Sequence, residues 1–118
     1  MRVCDLVTPL KAEVVVTGSS FEDGEITGVV VSDLMSDVLV VEEDDFLLVS
    51  SLASEQLIRT ADIVGAIAVV LVNGKAPPQS MSTLAASLDQ TLLGTAYSSF
   101  HTCRILAELL FPPHERKS

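Results

Sequence analysis

From Phe46 to Leu110 the chain repeats one unit: an apolar strand, a turn containing Ser, Asn or Thr, and an amphipathic helix. This alternation restricts the fold more than any other feature. Residues 46–50 lead to a helix over about 54–64, with Leu57, Ile58, Ala61 and Val64 on one side. Residues 66–72 lead through Asn73-Gly74 and Pro77-Pro78 to a helix near 80–88, with Met81, Leu84, Ala85 and Leu88 facing in. Residues 91–95 lead to a last helix over 98–110, with Phe100, Cys103, Ala107 and Leu110 inward, Pro112-Pro113 as its stop and a frayed polar tail over 114–118. Such alternation requires right-handed crossovers and a mainly parallel sheet. The expectation is one compact three-layer α/β domain over residues 1–118, with about five mostly parallel strands and helices on both faces.

Upstream, Val3, Leu6, Val7 and Leu10 recur at helical spacing and predict a short opening helix limited by Pro9, followed by a strand over 13–17. Asp23-Gly24 is a turn pair, and residues 26–31 read as a strand whose three consecutive valines suit burial on both faces. Gly28 inside that strand marks a bulge or a close approach of backbone or ligand, with the bulge favoured. Ser32 or Asp33 is placed to cap a short helix with Leu34, Met35 and Val38 as its apolar face. The four acidic residues at 42–45 are too charged for a core element and read as a turn.

The stretch over 23–38 resembles the signature of the DRTGG domain family, in which Asp, Arg and Thr-Gly-Gly lead into a strand ending in Ser-Asp-Leu. Asp23, Thr27, Gly28, Ser32, Asp33 and Leu34 fit the pattern, whereas Gly24 and Val29 stand where the family has Arg and the second Gly. The resemblance extends through residues 3–7, the turn at 72–74 and residues 93–100, so it covers nearly the whole chain. It implies a fold related to the N-terminal region of HPr kinase/phosphorylase. It also implies a regulatory rather than catalytic role, because such domains accompany CBS domains in an adenine-nucleotide-regulated pyrophosphatase and occur within some phosphotransacetylases.

Sixteen acidic residues against seven basic ones give a net charge of −9, which repels a phosphate backbone and excludes nucleic acid as a general partner. Although 48% of residues are hydrophobic, no window approaches the ~18 consecutive apolar residues of a membrane span, so no membrane association is expected. The first residues lack a secretory pattern, the expected location is cytoplasmic, and Cys4 and Cys103 are expected as free thiols.

The motifs of common chemistries are missing. Gly74-Lys75 has neither a Gly five residues before it nor a Ser or Thr after it, so it is no phosphate-binding loop. There is no Gly-x-Ser-x-Gly elbow and no metal-spaced cysteine pair, and His101 and Cys103, two apart on a helix, do not face each other. The reading therefore assigns no catalytic residue, metal or cofactor.

What remains is position, since open α/β sheets bind ligands beyond the carboxyl ends of their strands. The candidate ligand-binding residues are Thr27, Gly28, Ser32, Asp33, Ser50, Asn73, Tyr97, Ser98 and Ser99; Thr17, Gly18, Ser51 and Gly74 fall in similar places. Each of the polar ones also suits a cap or turn. An anionic group is expected at the start of the last helix near Ser98 and Ser99, with Tyr97 against a base and Lys75 or Arg104 offsetting the acidic charge.

The function that the resemblance implies is non-catalytic regulation or small-ligand sensing, with an adenine nucleotide among the candidate ligands. The alternative is a structural subunit that engages a protein partner and binds no small molecule. A homodimer is expected in either case, through the strand over 29–31 and the helix after Ser32, because a small apolar chain leaves a patch to cover.

Overall fold

β3 (Phe46–Ser50) and β4 (Ala68–Leu71) are buried at every position, which is why their sequences are continuous apolar runs rather than alternating ones. Successive side chains on β3 serve opposite faces of the sheet. Phe46 and Leu48 join the helices on one side, and Leu47 and Val49 join a second cluster on the other. The computed structural model describes residues 1–111. The Pro112-Pro113 stop and the tail over 114–118 lie outside the described residues.

Five strands form one sheet in the order β1-β5-β4-β3-β2. β2 (Gly28–Val31), β3, β4 and β5 (Leu92–Gly94) run parallel in sequence order, and β1 (Glu13–Val16) lies antiparallel on β5. The crossover helices α2 (Met35–Val38), α3 (Glu55–Val64) and α4 (Gln79–Ser87) cover one face through Met35, Val38, Leu57, Ile58, Ala61, Met81 and Ala85. The opposite face is covered by a 3-10 turn (Val3–Leu6) and α5 (Ser99–Leu110), through Val3, Leu6, Leu10 and Leu106. A further short helix, α1 (Ser20–Asp23), lies against the 3-10 turn. The mostly parallel three-layer α/β architecture is thus the observed one. Gly65, left-handed at φ 74°, ends α3, and its N–H bonds back to the last turn as helix-ending glycines do.

Several local expectations are corrected. β2 is the sheet edge: Val30 packs against the helix-side cluster and Val29 against the opposite one, so both faces are covered there, but Val31 at the strand's end is 45% exposed. β2 pairs with β3 without interruption, so Gly28 makes no bulge there; the register break falls in β1, between Val14 and Val16. Ser32 and Asp33 do not cap α2, whose N-cap is Leu34 with no side-chain bond. On α5 the buried residues are Thr102 and Leu106, while Phe100 is 80% exposed and Cys103, Ala107 and Leu110 are half-buried. The aromatic bulk of Phe100 does not mark the buried side of α5, whose innermost residues are Thr102 and Leu106, while Leu110 packs against the same cluster as Leu106.

Candidate functional site

At the carboxyl edge β4 and β5 send their outgoing chains to opposite faces, α4 to one and α5 to the other, and neighbours that part in this way leave a crevice. Because β1 runs antiparallel, its amino end comes to the same edge. The result is a cleft of about 490 Å³. It is bounded by Gly74, Lys75, Ala76 and Pro77 after β4, by Gly94, Thr95 and Ala96 at the end of β5, and by Lys11, Glu13 and Val15 around β1.

Buried Thr95 ties the three walls together. Its hydroxyl donates to the Leu10 carbonyl at 2.7 Å and accepts from the Tyr97 N–H at 3.2 Å. Its carbonyl accepts from the Gly74 N–H at 2.9 Å, while the Asn73 N–H donates to the Tyr97 carbonyl at 2.8 Å. Asn73 and Gly74 both take left-handed backbone, φ 66° and 64°, which Asn-Gly accepts at low cost. Lys11 is also left-handed, at φ 46°, an uncommon state for a long side chain and one that cross-bridging by Thr95 helps to hold.

The charges sort in a way the net charge hides. Arg2 pairs with Asp5 at 3.7 Å, Arg59 with Glu55 at 3.4 Å and Arg104 with Glu108 at 3.1 Å. Among the described residues, the basic side chains without an ion pair are Lys11 and Lys75, and both line this one cleft. The main-chain N–H groups of Ala76 and Ala96 make no hydrogen bond among the described residues either, which leaves two donors at the cleft wall. Two ammoniums and two amide donors around a concave space form an arrangement that binds anions.

A second polar cluster lies on the same edge, at the ends of β2 and β3. The Asp33 carboxylate accepts from the Ser51 N–H at 2.7 Å, the Ser51 hydroxyl at 2.8 Å and the Ser50 hydroxyl at 2.9 Å. The Ser51 bonds, foremost the one from its N–H, hold the Asp33 carboxyl below the ordinary range, with smaller contributions from Ser50 and the Lys75 charge. Ser32 is occupied locally, its hydroxyl accepting from the Leu34 N–H at 3.0 Å.

The other candidate residues are dispersed. Thr27 precedes and Gly28 begins β2 at the amino edge, where the Thr27 hydroxyl donates to the Asp44 carbonyl at 2.8 Å and a Cβ on Gly28 would stand 2.6 Å from the Glu43 carboxylate. Ser98 caps α5, accepting from the His101 N–H at 3.1 Å. Ser99 is the first residue of α5, and the Tyr97 ring packs edge-on against His101 with centroids 4.3 Å apart. Arg104 stays with Glu108 and His101 on α5. Lys11, Glu13, Thr95 and Ala96 were missed as site residues. The usable signal was the scarcity of lysine in an acidic chain, each of the two before the tail lying beside a turn.

Among the described residues no group of His, Cys, Asp and Glu is placed to hold a metal ion, and no helix is long and apolar enough to cross a membrane.

No family model and no curated protein matches the sequence. A solved structure does match: that of the CBS and DRTGG domains of the regulatory region of Clostridium perfringens pyrophosphatase, complexed with its activator diadenosine tetraphosphate. The TM-score is 0.70 at 16% identity, over 89% of this chain and 45% of the other, so this chain spans less than half the length of the one it matches. The likeness is one of fold, and it places this chain's architecture with that CBS and DRTGG regulatory region.

Proposed function

We propose that this is a non-catalytic regulatory domain of the DRTGG kind, acting in the cytoplasm, which senses a small anionic metabolite in the cleft between β4, β5 and β1. An adenine nucleotide is the leading candidate. The observation that carries the reading is that Lys11 and Lys75, neither in a direct ion pair among the described residues although the Lys75 charge is felt by Asp33, line one cleft in a molecule of net charge −9. Two ammoniums beside one cleft with no direct ion-pair partner among the described residues form an arrangement that an anionic ligand completes. The cleft volume lies within the ~300–1,000 Å³ common for small-molecule sites. The fold likeness supports the regulatory part, since the matched structure is a regulatory region holding a nucleotide activator. Asn73 enters this reading through the turn that presents Lys75. Asp33 and Ser50 enter it as the neighbouring support, and Tyr97, Ser98 and Ser99 as the segment that follows Ala96. Thr27 and Gly28 fit it only as structural residues at the start of β2.

Calorimetric titration with AMP, ATP and inorganic phosphate tests the proposal. Saturable binding is expected, weakened about tenfold by Lys11→Ala or Lys75→Ala, the loss of roughly 1.4 kcal/mol of charge-assisted contact. No saturable binding of any of the three, or binding indifferent to both substitutions, contradicts it.

A specific observation also favours assembly with a second copy of the chain. Val31, Leu34, Leu39 and Val40 are 45%, 58%, 50% and 77% exposed and fall together on the edge strand β2 and around α2. An edge strand with apolar flanks invites pairing, and a two-fold axis beside β2 would cover the patch twice over.

A further inference from the structure

The lysine cleft contains one group that an anion site does not need. Glu13, the first residue of β1, lines the cleft with Lys11 and Lys75, yet its carboxylate makes no hydrogen bond or ion pair among the described residues. It is carried by the ladder, opposite Gly94 on β5, and so sits on the rigid part of the site while both lysines project from turns. A carboxylate there repels a bare dianion. It becomes favourable when the ligand brings its own donors, and the discrimination then works by penalising ligands that lack them.

Resting on the anion-binding reading of the cleft, we infer that Glu13 is a specificity-determining residue, and that the ligand is a phosphate monoester with hydroxyl groups on its body. The phosphate lies between Lys11 and Lys75, and a ribose or similar polyol donates to Glu13. The lining contains no aromatic side chain; its apolar part is Val15, Ala76, Pro77 and Ala96. A base therefore finds no stacking partner in the lining, and the sugar carries the selectivity. Nucleoside and sugar phosphates share this chemistry.

The test titrates the full chain and its Glu13→Gln variant with inorganic phosphate, ribose phosphate, AMP, the dideoxy analogue of AMP, and phosphoethanolamine. Melting curves confirm that the variant is folded. Ribose phosphate and AMP are expected to bind within about threefold of each other and at least about tenfold tighter than phosphate or the dideoxy analogue, the fold-change that about one net hydrogen bond is worth. Glu13→Gln should weaken AMP, strengthen phosphate and collapse the ranking. A dideoxy analogue equal to AMP, or a ranking unchanged in the variant, overturns the role of Glu13 while leaving the anion site standing; phosphoethanolamine above ribose phosphate, its ammonium pairing with the carboxylate, overturns the hydroxyl-bearing body of the ligand. AMP well above ribose phosphate overturns the sugar as the selective part. Failure of every phosphate to bind overturns both.

Discussion

The Asp33 carboxylate collects three hydrogen bonds from two consecutive serines, and each is stronger when the acceptor is ionised. Its folded-state pKa lies below the ordinary aspartate value of 3.8, so its contribution to stability is complete above that value and is lost as pH falls through the lowered one. Asp89, which accepts from the Ser19 N–H and hydroxyl, is lowered in the same direction. Acid unfolding should therefore steepen below about pH 3.8, and Asp33→Ala should flatten that limb in melts followed against pH. Asp33 is exposed, so screening limits the cost of the substitution near neutral pH to about 1 kcal/mol. Two glycines give a sharper contrast. A Cβ on Gly18 would meet the Asp89 carbonyl at 2.5 Å and the Thr91 N at 2.9 Å, both main chain, whereas on Gly28 it meets only the tip of exposed Glu43. Gly18→Ala should cost about 1–3 kcal/mol, as overpacking does. Gly28→Ala should stay within about 0.5 kcal/mol, and denaturant melts of the two variants check both.

Among the elements, α5 separates bulk from burial. Leu106 is 1% exposed and Phe100 80%, so Leu106→Ala should cost about 2–5 kcal/mol and Phe100→Ala less than about 0.5 kcal/mol, the reverse of what residue size implies. Chemical denaturation decides between them. The parallel strands and crossover helices were legible because burial writes itself into their sequences: β3 and β4 as unbroken apolar runs, α3 as Leu57, Ile58 and Ala61 at helical spacing. The edge position of β2 was not legible. Gly-Val-Val-Val reads like a central strand, and only the sheet order shows that its far edge pairs with no further strand among the described residues. The antiparallel course of β1 was equally invisible, since it depends on pairing with β5 far along the chain, at Glu13 and Gly94. That one pairing creates the cleft. Position-based reasoning could name Asn73 and Ser50 at strand ends, but not Lys11 and Glu13, which reach the carboxyl edge only because β1 runs backwards.

For the whole molecule, the charge of −9 works against the cleft at long range while the two lysines favour anions at short range. Salt screens the first more than the second, because contacts inside the ~8–10 Å screening length survive it. Self-association also belongs to this scale. If a second copy covers the β2 edge, sedimentation at micromolar concentration should give twice the 12.5 kDa chain mass, and Leu34→Glu or Val40→Glu should return it to one chain. Met35 is unsuitable for that purpose, being only 4% exposed within the helix-side core. A monomer mass for the unaltered chain contradicts the second copy.

The most direct measurement is an amide NMR titration with AMP, which shows where an anion goes as well as whether it binds. Saturable shifts are expected at Gly74, Lys75, Ala76, Thr95 and Ala96, and a Lys11→Ala, Lys75→Ala double variant should lose them. No saturable shift, or shifts confined to Ser98, Ser99 and the start of α5 that persist in the double variant, would contradict the cleft between β4, β5 and β1 as the ligand site.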